Sequence, residues 1–165
     1  MNNRIASFEK VSRTQFIADA VGFPDPQNAY ETVKLPCRAT AGSAGYDVFT
    51  PFSFTLKPGE TIRIPSGLRC RMDCGWVMFI MPKSGLGTKY RLQLNNTVGV
   101  VDADYYAADN EGHILIALTN DSKEGKTLEV PAGKAFVQFV FLPFGITTDD
   151  AAQGARSGGF GSTGV

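Results

Sequence analysis

The sequence predicts an all-β fold, a jelly-roll-like distorted β-barrel with one short N-terminal helix and a flexible C-terminal arm. Three observations carry this expectation. Phe- and Val-rich runs of strand length recur along the chain, no helical segments alternate with them, and turns such as Lys57-Pro58-Gly59 and Pro131-Ala132-Gly133 separate them. A chain of 165 residues fits one core. Its 43% hydrophobic and 19% charged residues are those of an ordinary globular domain.

Ser12 followed by Gln15 is a capping-box signature, and Phe16, Ile17, Ala20 and Val21 then share one helical face. A turn-rich stretch over 22–27 follows. Strands are expected over 31–35, 46–56, 61–64, 75–81, 113–118 and 134–142, with Trp76, Phe136, Phe139 and Phe141 in the core. The last twelve residues contain five glycines and cannot build a core. The expected division is therefore a β domain over 1–153, including an N-terminal extension over 1–30, and a mobile arm over 154–165.

The formal charge is zero and Lys and Arg are scattered, which argues against a duplex nucleic-acid footprint but leaves a small anionic ligand open. No run approaches the roughly 18 to 20 apolar residues of a membrane span, and MNNRIASFEK has no signal-peptide core. A cytoplasmic protein is expected. Cys37, Cys70 and Cys74 are odd in number, and a single histidine, His113, accompanies them, so reduced structural thiols are expected. His113 itself reads as a structural residue at a strand end.

Three segments suit chemistry. In Pro82-Lys83-Ser84-Gly85-Leu86-Gly87 the proline ends a strand and Ser84 is suited to cap a short helix. Free amides, the Ser84 hydroxyl and the Lys83 ammonium would cradle phosphate. A capped turn with a solvated lysine is the other reading. In the run from Asn95 to Tyr105, Asp102 and Asp104 follow an apolar stretch, and extended geometry would turn both to one face. One carboxylate could activate water while the second holds a metal, or the pair could simply be a polar strand end. In the tail, Arg156, Ser157, Ser162 and Thr163 suit phosphate oxygens, and Phe160 could stack on a base. The alternative there is a tail without a role.

Together the segments resemble the five motifs of the trimeric dUTPase family, in order. Ala41-Gly-Ser-Ala-Gly-Tyr-Asp47 is similar to the first, Pro82 to Leu86 the second, Gly99 to Tyr105 the third, Gly133 to Gln138 the fourth, and Arg156 to Gly164 the fifth. The resemblance implies hydrolysis of dUTP to dUMP and pyrophosphate with Mg2+ by a homotrimer whose active sites are shared between subunits. It makes Asp102 the general base that directs water onto the α-phosphorus, and sets Tyr105 against the deoxyribose, where a ribose 2'-hydroxyl would clash. Asn96 and Gly99 belong to a hairpin that reads uracil, and Val101 is a further substrate-binding position.

The resemblance gives Lys83, Ser84, Gly85 and Gln138 to phosphate and Asp47 to magnesium through water. Arg156 would meet the terminal phosphate, Phe160 would cover uracil, and Gly161, Ser162 and Thr163 would close as a lid. Three departures stand out: Lys83 replaces the usual arginine, the fourth motif keeps only its glutamine, and residues 106–110 are inserted before Glu111-Gly112. A dCTP deaminase shares the implied fold, but Ala117 stands where its catalytic glutamate belongs. A nucleotide-binding regulatory or sequestering protein is the other alternative, against which Asp102 argues. A protein partner beyond dUTP and the trimer is open, and no nucleic-acid or membrane partner is expected.

Overall fold

The computed structural model describes residues 4–154. In chain order the elements are β1 (Ala6–Lys10), α1 (Arg13–Asp19), α2 (Pro26–Thr32), β2 (Cys37–Arg38), β3 (Tyr46–Phe49), β4 (Phe54–Leu56), β5 (Thr61–Pro65), β6 (Leu68–Met72) and β7 (Trp76–Pro82). Then come α3 (Ser84–Tyr90), β8 (Leu92–Leu94), β9 (Gly99–Val101), a 3-10 helix (Ala103–Ala107), β10 (Leu115–Asn120), β11 (Leu128–Val130) and β12 (Ala135–Pro143). Among the described residues a five-stranded sheet runs β2-β3-β12-β7-β9, a three-stranded one β5-β10-β8, and β1-β6 and β11-β4 form pairs. All the strand pairs are antiparallel, and the predicted jelly-roll-like all-β fold is what forms.

The core is packed where the apolar runs predict. Phe136, Phe139, Met78, Ile116, Leu118 and Leu128 are fully buried between the sheets. Trp76 and Phe141 are only partly buried, so two of the four expected core aromatics face a groove instead. Along β6 the pattern is strict: Leu68, Cys70 and Met72 point in while Arg69 and Arg71 point out. All three cysteines are free thiols, with Cys37 and Cys74 exposed. Burial pushes the Cys70 thiol up to about 12, so it packs as a small apolar group.

The N-terminal helix forms as expected, since the Ser12 hydroxyl accepts from the Gln15 amide at 3.1 Å. Only half of the capping box is local. The Gln15 side chain donates to Asp19, and the Ser12 N–H is satisfied at 2.7 Å by Glu111, 99 residues away. Phe16 seats this helix on the barrel, fully buried and stacked on Phe52 with ring centroids 5.8 Å apart.

The expected strand over 31–35 is not there. Its first two residues end α2, because Asp25 caps the Asn28 amide and Pro26 opens the helix, a start signal that outweighs the β-branched Thr32 and Val33. The expected strand over 46–56 is two strands, β3 and β4, which belong to different sheets. Pro51 breaks the run, and the buried Thr50 hydroxyl donates to Phe52 O at 2.7 Å across the break. The histidine precedes β10 rather than starting it. No helix among the described residues is long and apolar enough to cross a membrane.

Candidate active site

The five-stranded sheet carries the candidate residues, and its register decides which of them meet. Gln138 on β12 lies opposite Asp47 on β3 and opposite Met81 on β7. Two residues beyond Met81, the Lys83 ammonium reaches back to donate to Asp47 Oδ1 at 2.6 Å. Gly45 makes this cluster possible: a Cβ there would fall 2.5 Å from Gln138 Oε1. Gly45 was legible only as part of a glycine-rich turn, and its positioning role emerges from the pairing of β3 with β12.

Lys83, not Ser84, is the N-cap of α3, and no side chain caps this helix. The helix starts one residue earlier than a serine cap requires: Lys83 is still extended (φ −61°, ψ 133°), its N–H donates to Phe136 O at 3.0 Å as the last bond of the sheet, and Ser84 is already helical. Ser84 and Gly85 are exposed in the first turn, where backbone N–H groups lack intrahelical acceptors. This end of the sheet therefore gathers an ammonium, a carboxylate, an amide and first-turn N–H donors.

Asp102 lies elsewhere. On β9, the sheet's edge strand, Gly99 pairs with Ile80 and Val101 with Met78, so Asp102 continues toward the Trp76 end of β7. Met78 is five residues from Lys83, a backbone separation of roughly 16 Å along β7, so the two groups leave the sheet toward opposite ends. Gly99 is required for packing as well, since a Cβ would come within 2.9 Å of Ile80. Asn96 is exposed in the preceding turn, while Val101 is buried and offers its backbone.

The expectation that Asp102 and Asp104 share an extended face fails. Asp102 has extended backbone (φ −83°, ψ 159°), but the 3-10 helix starts at the next residue and carries Asp104 in its first turn. Both carboxylates are exposed and Tyr105 is buried. The Tyr105 hydroxyl donates to His113 O at 2.7 Å and accepts from Asn110 Nδ2 at 2.9 Å.

Behind Tyr105 stands a polar layer that the linear sequence did not announce beyond His113 being structural. The His113 ring is fully buried; Nε2 accepts the Gly67 N–H at 2.9 Å, so Nδ1 carries the proton and donates to Asp19 Oδ2 at 2.6 Å. Burial pushes this imidazole below its ordinary value, against the opposing pull of Asp19. Glu111 accepts from both the amide and hydroxyl of Ser12, which hold its carboxyl low. Tyr106 donates to Glu9 at 2.8 Å, accepts from Arg71 at 2.9 Å, and lies 3.7 Å beneath the Arg69 guanidinium.

Arg156, Phe160, Gly161, Ser162 and Thr163 lie outside the described residues. A separate groove of about 980 Å³, bounded by β1 and the turn at 41–44, is lined by Phe8, Tyr46, Trp76 and Phe141 with Arg4 and Arg38. Among the described residues, none of the candidate site residues lines it.

A jelly-roll-like barrel that sets an ammonium, a carboxylate, an amide and free helix N–H donors at one end of its main sheet and exposed carboxylates at the other has the make-up of a hydrolase of anionic substrates. Its likeness to known proteins makes the class specific. The chain belongs to the dUTPase family, whose model matches residues 31–164. It is 41% identical over 136 residues to the deoxyuridine 5'-triphosphate nucleotidohydrolase of Lactococcus lactis, covering 81% of this chain and 89% of that protein. The crystal structure of dUTPase from Streptococcus mutans is similar at a TM-score of 0.64 and 32% identity, covering 86% of this chain and 98% of that one. A mutant dUTPase from phage phi11 of S. aureus, described with a coordinated structural Mg(II) ion, shares the fold at a TM-score of 0.64 and 20% identity, covering 94% and 98%.

Proposed function

We propose that the protein hydrolyses dUTP to dUMP and pyrophosphate as a homotrimer whose sites draw on more than one chain. The observation that carries this reading is the division of the site. One end of the sheet holds Lys83, Asp47 and Gln138, and the other presents the exposed Asp102, too far away to act on the same phosphate within one chain. Association through the edge strand β9, where Val100 is 54% exposed, would bring one chain's Asp102 to the partner's phosphate cradle.

In the reaction, the Asp102 carboxylate takes a proton from water, and the water oxygen bonds to the α-phosphorus. The bond from that phosphorus to the bridging oxygen breaks, and its electron pair leaves with pyrophosphate. Lys83, the first-turn amides at Ser84 and Gly85, and Gln138 hold the phosphate oxygens. Asn96, Gly99 and Val101 meet uracil through backbone and amide groups, and Tyr105 walls the deoxyribose. Arg156, Phe160, Gly161, Ser162 and Thr163 close over the substrate.

Asp47 is a partly buried carboxylate beside these phosphate donors, which fits Mg2+ held through water and substrate oxygens rather than by a protein cage. The ion supplies charge neutralisation on the triphosphate when bound. The activity limits uracil incorporation into DNA and supplies dUMP, and we place it in the cytoplasm. Residues 1–153 form the β domain and 154–165 the lid arm.

The test is pyrophosphate release from dUTP, dTTP, dCTP and UTP with magnesium, with Asp102→Asn in parallel. Turnover of dUTP alone, reduced about a thousandfold in the variant, is expected. Tight dUTP binding without turnover would overturn hydrolysis in favour of a sequestering protein.

A further inference from the structure

We propose that Asp19, on the N-terminal helix α1, is a positioning residue for sugar selection, acting through His113 and Asn110 on Tyr105. The inference rests on the hydrolase reading above and adds a determinant that lies outside the five motifs. It begins from a continuous chain of contacts. Asp19 Oδ2 accepts from His113 Nδ1 at 2.6 Å and from Gln15 Nε2 at 2.7 Å. On its far side the same imidazole accepts the Gly67 amide, so both ring nitrogens are committed and the ring cannot turn without losing a bond.

The His113 carbonyl then accepts the Tyr105 hydroxyl at 2.7 Å and Asn110 Nδ2 at 3.2 Å. Because the tyrosine has spent its own proton on that carbonyl, its oxygen accepts from Asn110, which sets the amide's orientation. The backbone at this point is held in an unusual shape: Glu111 and Gly112 are consecutive left-handed residues, at φ 60° and 69°. Both of its ends are held from α1 and its cap, Glu111 by the Ser12 N–H and hydroxyl and His113 by the Asp19 carboxylate.

Steric exclusion of a single hydroxyl works only as far as the wall cannot yield. A tyrosine ring free to retreat by a fraction of an ångström would admit a ribose. Here the ring's polar end is tied to a backbone carbonyl whose residue is clamped by a helix 94 positions earlier in the chain. Removing the Asp19 carboxylate leaves a buried N–H without an acceptor. The imidazole must move to find one, and the carbonyl that holds Tyr105 moves with it.

The test compares kcat and KM for dUTP and UTP in the wild type, Asp19→Ala, Asp19→Asn, Asn110→Ala and Ser12→Ala. In Asp19→Ala the ratio of kcat/KM for dUTP over UTP is expected to fall about tenfold, chiefly through KM. Asp19→Asn, which keeps an acceptor oxygen, should restore most of the ratio, and Asn110→Ala should lower it about threefold without touching the helix. Ser12→Ala removes the α1 cap and lowers the melting temperature, but the Ser12 N–H still donates to Glu111 and the Asp19–His113–Asn110 chain is untouched, so the ratio should hold.

A ratio unchanged in both Asp19→Ala and Asn110→Ala, with dUTP still turned over, would overturn the inference and leave the hydrolase intact. A ratio that tracks melting temperature across all four variants would reduce Asp19 to a structural residue. If Asp19→Ala does not fold, Asn110→Ala and Asp19→Asn decide. A folded wild type inert on dUTP removes the hydrolase reading and this inference with it.

Discussion

At the Lys83 end of the five-stranded sheet every contributing side chain sits on or just beyond a paired strand. At the Asp102 end the chain leaves β9 after three residues, turns through a 3-10 helix, and is held by side chains arriving from α1 and β1. In the first region, register does the positioning: Asp47, Gln138 and Met81 are neighbours because β3, β12 and β7 pair as they do. In the second, long-range hydrogen bonds do it. The Lys83 end should therefore tolerate side-chain changes with loss of function alone, whereas changes behind Tyr105 should cost stability as well.

The largest effect separates the two ends outright. Lys83→Ala should lower kcat/KM for dUTP about a hundredfold and Asp102→Asn about a thousandfold, each leaving the fold intact. If the two groups act on one substrate from different subunits, refolding the two inactive variants together at equal amounts should restore activity at about a quarter of the sites by random assembly of a trimer. Recovery no greater than the sum of the separate variants would place both groups in one chain and break the comparison.

Two glycines sharpen it further. At Gly112 a Cβ would sit 2.7 Å from Tyr105 O and 2.8 Å from Tyr106 Cα, with φ at +69°. Backbone cannot move aside, so Gly112→Ala should cost about 3 kcal/mol in urea unfolding. At Gly45 the obstructing atom is Gln138 Oε1, at the end of a flexible side chain. Gly45→Ala should leave stability within about 1 kcal/mol while displacing Gln138 and raising KM for dUTP about tenfold. A Gly45→Ala protein with unchanged KM would remove Gln138 from the phosphate site.

The same contrast governs what was legible in the sequence. Strands β7 and β12 were readable because apolar runs end at Pro82 and follow Gly133, both local signals. The β1–β6 pair was missed although Leu68, Cys70 and Met72 alternate, since charged residues between them dilute a five-residue run. Helix α2 begins inside the stretch read as turn-rich, where Asp25 and Pro26 serve as cap and first helical residue, and its seven residues are too few for a helical period to stand out beside the β-branched Thr32 and Val33. The candidate site was readable motif by motif, and the resemblance implied sites shared between subunits, but which residues fall at which end of the sheet was not readable, because register belongs to pairing and not to any one strand. Ser12 with Glu111 and Asp19 with His113 join positions more than ninety residues apart, and no local pattern announces such a bond.

The smallest effect is electrostatic, and at the Asp102 end it is carried by His113 and Glu111. Burial holds the His113 imidazole below its ordinary 6.5, so as pH drops through 6.5 the unfolded chain binds a proton that the folded chain refuses. Stability then declines toward the folded pKa, by at most about 1.4 kcal/mol per pH unit for one group. Glu111 acts in the same direction in a lower window: its carboxyl is held below 4.5 by Ser12, so its contribution is complete above 4.5 and lost as pH falls further. Urea midpoints at pH 7.5, 6.0, 5.0 and 4.0 should decline in two stages in the wild type. Glu111→Gln should keep the upper stage and make the lower one shallower, because the histidine is untouched while one of the carboxylates held low in the folded chain is gone. A wild-type midpoint level from pH 7.5 to 5.0 would mean that His113 accepts its proton in the folded protein, and that the layer behind Tyr105 yields more readily than its hydrogen bonds indicate.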